Sequence, residues 1–441
     1  MRRFASSARL AAPACMLVCA SPLAHAADRT AAAAAVTHPG DTAWLLTATA
    51  FVLSMTLPGL VAFYSGLVRH KNVLSIAMQC FAITCLVSLL WLAGGYELAF
   101  GNGGALQALI GSVHAGWFGG ISRNAVRGDT PEAAFVMFQL TFAIITPALV
   151  IGGFAERMKF SAMLWFSGLW LIVVYLPVTH WVWGGGWLAR CGVLDFAGGI
   201  VVHVTAGVGA LVSALVLRHR KGFPHTAMPP HNMSLTVLGA GMLWVGWYGF
   251  NGGSALAANS SAAMAILVTQ LGAATGALTW MTLEWLKFDK PSVLGIVTGM
   301  VAGLGTITPA SGFVGPLGAI IIGAAAGLVC FFATQVLKRR LHIDDSLDVS
   351  PVHGVGGALG TLLTGVFVAS RFGGIGYAPG MDLVRQVGVQ ALGVAAVGLW
   401  CAAGTYLILK LLQATVGLRV SEDEEREGLD LSQHGERAYN D

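Results

Sequence analysis

Eleven apolar runs, each long enough to cross a membrane, constrain the fold of this chain more than any other feature. The hydrocarbon core of a bilayer is about 30 Å thick, which a helix of roughly 20 residues spans. Only 10% of the 441 residues are Asp, Glu, Lys or Arg, against about 25% in soluble domains. This composition excludes an ordinary soluble enzyme, a nucleic-acid-binding domain and a disordered chain, and we predict an all-α membrane protein. The predicted spans are 42–66, 73–99, 132–155, 161–182, 196–217, 233–254, 262–286, 292–309, 314–337, 350–370 and 385–412.

The N-terminal residues 1–26 have the pattern of a secretory signal peptide. Arg2, Arg3 and Arg9 form a basic start before a short apolar stretch, and the sequence Ala24-His25-Ala26 fits a cleavage site. The alternative is an additional, poorly inserted helix. If cleavage occurs, the mature N-terminus lies outside the cytoplasm.

The distribution of Lys and Arg gives an independent cue to orientation, because cytoplasmic loops carry an excess of these residues. With an external N-terminus, twelve fall in inner loops and five in outer loops, and eleven spans leave the C-terminus inside. We therefore expect the highly charged tail, 413–441, to be a solvated cytoplasmic segment that either aids solubility or docks a partner. The inner residues are Arg69, Lys71, Arg157, Lys159, Arg218, Arg220, Lys221, Lys287, Lys290, Lys338, Arg339 and Arg340.

Two stretches of the sequence resemble each other. In each, an Asp precedes a His by eight residues and a Gly follows four residues later: Asp195, His203 and Gly207 in one, Asp345, His353 and Gly357 in the other. The first begins the fifth span and the second begins the tenth. Because these spans enter from opposite faces, the halves at about 42–217 and 233–370 are predicted to be inverted copies, and the span 385–412 is an addition.

The two repeated histidines are the main candidates for function. Eight helical residues cover about 12 Å, so His203 and His353 are each expected near the middle of the membrane, approached from opposite faces. Ionisable groups at that depth usually face a partner or a pathway. Neutral imidazoles suit a small permeant that is both a hydrogen-bond donor and a weak acid. No third ligand or nucleophile accompanies them, which argues against a metal site, a cofactor and an intramembrane enzyme.

Acidic and aromatic residues near the span ends allow more than one interpretation. Asp195 is either a helix N-cap or an attractor for a cation, and Asp345 and Asp348 are its inner counterparts. Aromatic residues near the outer ends form either an interfacial belt or a cation–π cup for a small cation, with a serine as hydrogen-bond acceptor. The residues concerned are Phe138, Phe142, Trp183, Phe250 and Ser254.

The sequence resembles the ammonium transporter family (Amt/Mep/Rh), and in particular its bacterial Amt type. The resemblance covers nearly the whole mature chain, including a tail that looks like the family's C-terminal signature. It implies eleven spans, an external N-terminus and a homotrimer with one pore per subunit in the inner membrane of a bacterium. The motifs are Asp195-Phe-Ala-Gly-Gly-Ile-Val-Val-His203, Trp244-Val-Gly-Trp-Tyr-Gly-Phe-Asn251-Gly-Gly-Ser254, Phe138-Gln-Leu-Thr-Phe142-Ala-Ile and Asp348-Val-Ser-Pro-Val-His353-Gly.

The resemblance also implies a role for each candidate residue. Phe138, Trp183 and Ser254 match an outer ammonium recruitment site, and Phe142 and Phe250 match two stacked rings that close the outer vestibule. His203 and His353 match the twin histidines of the pore. Asp195, Asp345 and Asp348 match acidic supporting positions, and the tail matches a segment at which PII-type signalling proteins bind the cytoplasmic face.

One departure from the family pattern is visible before the second histidine. Ser350-Pro351 stands where a bulkier, often aromatic residue and a small residue are expected. Proline is tolerated in the first turn of a helix, so we expect His353 to keep its position while the inner vestibule becomes wider. The expected permeants are ammonium, ammonia and methylammonium. The alternatives that remain are a gas channel and an ammonium sensor that signals through its tail with little flux.

Overall fold

The computed structural model describes residues 37–112 and 121–439 of the chain. The predicted signal peptide, 1–26, lies outside these residues and stays a prediction.

Long helices dominate the described residues, as the sequence predicted. Ten of those in the described ranges are long and apolar enough to cross a membrane, and each corresponds to one predicted span. Their ends differ from the predicted ends by a few residues, except where the fourth extends further. The ten are Pro39–Leu67, His70–Phe100, Glu132–Phe154, Phe160–Arg190, Gly199–Leu217, Met233–Gly252, Ser260–Phe288, Val293–Ala310, Pro316–Arg340 and Leu383–Thr415.

The remaining predicted span, 350–370, is helical but more polar than the ten. A π-helical turn, Ser350–Val355, leads directly into the α-helix Gly356–Phe367. Ser350, Pro351 and His353 reduce the apolar character of this segment. The fold thus contains ten long apolar helices among the described residues, together with this eleventh segment of lower hydropathy.

A buried ion network connects the ends of several membrane helices on one face of the protein. The carboxylate of Glu156 accepts hydrogen bonds from Arg69 Nε at 3.0 Å and Asn72 Nδ2 at 2.8 Å, and its Oε2 lies 2.6 Å from Arg220 Nη1. Arg220 also pairs with Asp344 at 2.8 Å. Burial alone would raise the pKa of Glu156, but the guanidinium groups of Arg220 and Arg69 outweigh it and hold this pKa at about 2.

The C-terminal tail keeps most of its charged side chains exposed, as expected of a solvated segment, but part of it also packs on the helix ends, where the backbone N–H of Leu429 donates to Asn72 at 2.8 Å. Two short helices, Glu422–Glu427 and Leu429–His434, follow the last long helix. Glu425 is buried and accepts a hydrogen bond from Arg419 Nη2 at 2.7 Å. Asp430 is also buried, and its carboxylate accepts the backbone N–H of Ser75 at 2.7 Å. Glu425 and Asp430 thus accept backbone N–H groups from Lys221 and Ser75, which are distant in sequence, and a local charge count does not reveal such contacts.

The other regular elements lie in a connecting segment. Two short strands, Val126–Arg127 and Thr130–Pro131, form an antiparallel pair ahead of the helix Glu132–Phe154. Arg127 Cζ lies 4.4 Å from the centre of the Phe135 ring, a cation–π contact that fastens the pair to that helix.

Candidate functional site

His203 and His353 meet inside the helical assembly. Their Nδ1 atoms are 3.2 Å apart and their rings stack at 27°, with centroids 5.2 Å apart. Both side chains are buried. A hydrogen bond between two Nδ1 atoms requires one ring to donate and the other to accept, so the two tautomers are complementary. Within the described chain, Nε2 of His203 has no hydrogen-bond partner.

Glycines at the crossing of the two helices allow the histidines to approach. The first histidine helix is Gly199–Leu217 and the second is 350–367. A Cβ on Gly207 would lie 2.2 Å from the backbone of Gly354, and a Cβ on Gly357 would lie 2.7 Å from Cβ of His203. Such close backbone approach is a common function of small residues at membrane helix contacts. The glycines four residues after each histidine therefore set the distance between the rings.

Three π-helical turns carry the central side chains. His203 lies in Gly199–Val204, His353 in Ser350–Val355 and Phe250 in Tyr248–Gly252. A π-turn rotates the following side chains relative to a regular helix, and such turns are frequent at functional sites. This local geometry is what aims all three rings toward one axis.

A column of aromatic rings continues from the histidine pair. His203 stacks on Trp247 at 5.5 Å and on Phe250 at 6.0 Å between centroids. Phe250 in turn packs on Phe142 at 4.3 Å, with an interplanar angle of 40°. The two phenylalanines are both buried, and they separate the histidine pair from the aromatic rings that follow.

A wider aromatic cluster lies beyond Phe142. Phe138 packs edge-on against Phe142 at 5.1 Å, and Trp183 does so at 5.8 Å and 90°. Ser254 donates its hydroxyl proton to the carbonyl of Phe250 at 2.8 Å, which leaves its oxygen lone pairs free to accept. The cluster thus presents aromatic faces and a hydroxyl acceptor, the groups that suit a small cationic N–H donor.

Asp195 is a helix cap. One carboxylate oxygen accepts the backbone N–H groups of Gly198 at 2.8 Å and Gly199 at 2.6 Å. The other accepts those of Ile200 at 2.8 Å and Val201 at 3.1 Å. These are orphan donors at a helix start, and their satisfaction fixes the turn that carries His203. Burial raises the pKa of Asp195, and these backbone hydrogen bonds oppose that effect.

The passage beside the histidines is narrow and apolar. A cavity of about 10 Å³ lies between Phe250 and His353, with Leu149, Val202 and Trp247 in its walls. A cavity needs roughly 10–15 Å³ to hold one water molecule. This stretch therefore has no room for the hydration shell of an ion.

A larger, more polar cavity begins on the other side of the pair. It measures about 140 Å³ and is lined by Tyr64, Lys338, Asp348 and His353, among others. Asp345 lies nearby and accepts the backbone N–H of Ser350 at 2.6 Å. The two acidic residues therefore differ, because Asp345 caps the second histidine helix while Asp348 faces the cavity.

Sequence reasoning missed three residues of this site. Trp247 stands in the motif 244–254 without a role of its own, but it lies against His203, with its Nε1 donating to Thr308 Oγ1 at 2.8 Å. Tyr64 lines both cavities, and Lys338 was counted as a loop charge. The position of Trp247, one turn before Phe250 on the same face of a helix, was the available signal for the first.

Membrane-capable helices that enclose two buried histidines beside a small apolar cavity fit a membrane transport protein. The family model described as Ammonium Transporter Family matches residues 43–439. The chain belongs to the ammonium transporter family, which is a family of transporters rather than of enzymes.

Individual relatives agree with this assignment. An ammonium transporter of Aquifex aeolicus is 49% identical over 411 residues, covering 91% of this chain and 93% of that protein. One from Bacillus subtilis is 44% identical over 408 residues, covering 91% and 99%.

Two solved structures with the same fold are named for different proteins, one a Mep2 protein and the other a sensor. The crystal structure of Mep2 from Saccharomyces cerevisiae has a TM-score of 0.78 and 36% identity, covering 88% of this chain and 91% of that one. A structure named "Sensor Amt Protein" has a TM-score of 0.83 and 30% identity, covering 90% and 98%.

Proposed function

We propose that this protein carries ammonium across a membrane by taking it up as NH4+ and passing it through the narrow stretch as NH3. The cation is recruited between the rings of Phe138 and Trp183, with the oxygen of Ser254 accepting one of its N–H bonds. Removal of water strengthens this cation–π attraction. The recruited ion then reaches Phe142 and Phe250, where it loses a proton.

The observation that carries this proposal is the histidine pair beside a passage too small for a hydrated ion. Moving an isolated charge into such surroundings costs many kcal/mol unless the charge is paired, and the walls of the 10 Å³ cavity include no carboxylate. Ammonia avoids that cost. The free Nε2 of His203 and the linked Nδ1 atoms offer it hydrogen-bonding sites along the way.

The same chemistry accounts for selectivity. Ammonia becomes NH4+ again on reaching the larger cavity beyond His353, where water has room. Potassium has no proton to lose, so the narrow stretch excludes it. The proton that NH4+ loses either returns to water outside or follows along His203 and His353 to the larger cavity. In the first case ammonia takes a proton from water inside when NH4+ forms again, and in the second case it takes the relayed proton. Methylammonium is expected to follow ammonium.

The assembly and location belong to the same proposal. We expect a homotrimer in the inner membrane of a bacterium, with the mature N-terminus outside and the tail in the cytoplasm. A PII-type signalling protein is the expected partner on the tail face. The hydrogen bonds that Glu425 accepts from the backbone of Lys221 and that Asp430 accepts from the backbone of Ser75 support a tail that reports on, or responds to, that face.

Purified protein in liposomes tests the proposal through two measurements. Uptake of radiolabelled methylammonium reports transport of either form, and solid-supported-membrane currents after an ammonium pulse report whether net charge moves. We expect uptake that empty liposomes lack, a large loss in His203→Ala, and no change in His225→Ala, an exposed histidine outside the site. Absence of uptake by folded wild-type protein would contradict the proposal.

The second candidate function is an ammonium sensor with little flux. Two observations favour this function: a structural neighbour is named "Sensor Amt Protein", and the C-terminal tail contacts the ends of the helices. A sensor would bind ammonium, seen as an increase in melting temperature, without uptake. The same wild-type sample measured both ways separates the two functions.

A further inference from the structure

A lysine side chain reaches into the cavity that follows the histidine pair. Nζ of Lys338 lies 2.7 Å from Oδ2 of Asp348, a short charge-assisted contact. The two side chains are 32% and 24% exposed, so the ion pair is partly shielded from solvent. Both residues line the same cavity as His353. The ammonium group of Lys338 therefore lies on the carboxylate of Asp348, in the cavity that follows the narrow stretch.

Only one of the two carboxylate oxygens of Asp348 contacts Lys338. Among the residues described by the structure, its Oδ1 has no hydrogen-bond partner. The backbone of Asp348 has a φ of +59°, a conformation that costs free energy in residues other than glycine. Its carboxylate is therefore held at the cavity rather than left to seek another position.

Other charges near the cavity leave Lys338 as the cation on Asp348. Asp345 adds a second, buried carboxylate, with its Oδ1 also unpartnered in the described chain. The guanidinium of Arg157 is directed elsewhere, with Nη1 on Ser346 Oγ and Nη2 on the Asp344 carbonyl, both at 2.7 Å. Without Lys338, the carboxylate of Asp348 would face the permeant unpaired as it enters this cavity.

We propose that Lys338 determines how readily the permeant is released, by occupying Asp348 so that newly formed NH4+ is not retained there. This inference rests on the proposed function. A cavity of about 140 Å³ holds roughly four or five molecules the size of water, so NH4+ formed there is within a few ångströms of Asp348. A bare carboxylate would bind it through a charge-assisted hydrogen bond, and Lys338 already fills that place.

The test is a double-mutant cycle in liposomes that contain the full-length protein. Lys338→Met keeps the length of the side chain and removes its charge. We expect the maximal rate of methylammonium uptake to fall roughly tenfold, and the concentration that gives half-maximal uptake to fall with it, because slow release lowers both. In Lys338→Met with Asp348→Asn, the retaining carboxylate is gone, and both values should return toward wild type.

Two further variants separate this role from a purely structural one. Lys338→Arg keeps the charge on Asp348 and should resemble wild type, and Lys287→Met removes a lysine that packs on Phe331 away from the cavity. Melting temperature and gel filtration of each variant report folding. If Lys338 merely held the helix end, the half-maximal concentration would not fall and the double variant would not recover. Inactive wild-type protein would instead refute the proposed function, whereas active wild type with an unchanged Lys338→Met refutes this inference alone.

Discussion

Nδ1 of His203, in the first half of the chain, lies 3.2 Å from Nδ1 of His353, in the second half. Each histidine lies on its own π-helical turn, and each is followed after four residues by a glycine at the helix crossing. The close backbone contact at this crossing brings the two rings together.

Widening the helix crossing should disable the pair. In Gly207→Ala, the new Cβ would lie 2.2 Å from the backbone of Gly354, so the two helices must separate. We expect a loss of methylammonium uptake of tenfold or more and a lower melting temperature. Gly241→Ala is the matched control, because no described atom lies within 4 Å of its Cβ, and a helical Gly→Ala change stabilises by up to about 1 kcal/mol. Equal uptake by both variants would contradict this account of the crossing.

Removing the charge of Asp195 should destabilise the start of the first histidine helix. In Asp195→Asn, the amide nitrogen faces two of the four backbone N–H groups that the carboxylate now accepts, and unsatisfied buried donors cost about 1–3 kcal/mol each. Melting temperature in detergent and uptake should both fall. Asp382→Asn should change little, because Asp382 is an exposed N-cap and asparagine caps equally well. A stable, active Asp195→Asn protein would show that the cap is dispensable.

The ion network should make stability depend on pH. Burial raises and Arg220 lowers the pKa of Asp344, with a net value of about 2, and Glu156 is held at about 2 as well. Unfolded carboxyl groups titrate near pH 4, so this stabilisation is complete above about pH 5 and is lost as the pH falls toward 2. The melting temperature of wild type should decrease over that interval.

The variant Glu156→Gln isolates the contribution of that carboxylate. It leaves the guanidinium of Arg220 less well compensated, and breaking a buried pair costs about 3–5 kcal/mol. We expect a lower melting temperature at pH 7 and a flatter profile between pH 5 and 3. The melting temperature of Asp289→Asn, which removes an exposed carboxylate, should depend on pH in the same way as that of wild type. A Glu156→Gln profile with the wild-type slope would mean that other groups control the acid transition.

The sequence predicted the helices well, and it singled out the two histidines that the structure brings together, because both follow from local patterns. Apolar runs give the spans, and the matched spacing of Asp, His and Gly singles out His203 and His353. The spacing of Trp247 and Phe250 placed both on one helix face, but the stacking of Trp247 on His203 could not be predicted, because it depends on how two different helices pack. The sequence also did not predict the contact of Lys338 with Asp348 or the burial of Glu425. Both depend on partners in the folded protein, whereas the sequence pattern placed these charges in solvent.

Cation selectivity of the His203→Asp, His353→Asp double variant tests the central claim most directly. The claim is that the passage discriminates by requiring its permeant to lose a proton, and a fixed carboxylate there would instead stabilise a bare cation. Potassium-driven currents in liposomes should be absent in wild type and present in the double variant. A double variant that still excludes potassium while conducting ammonium normally would contradict the account.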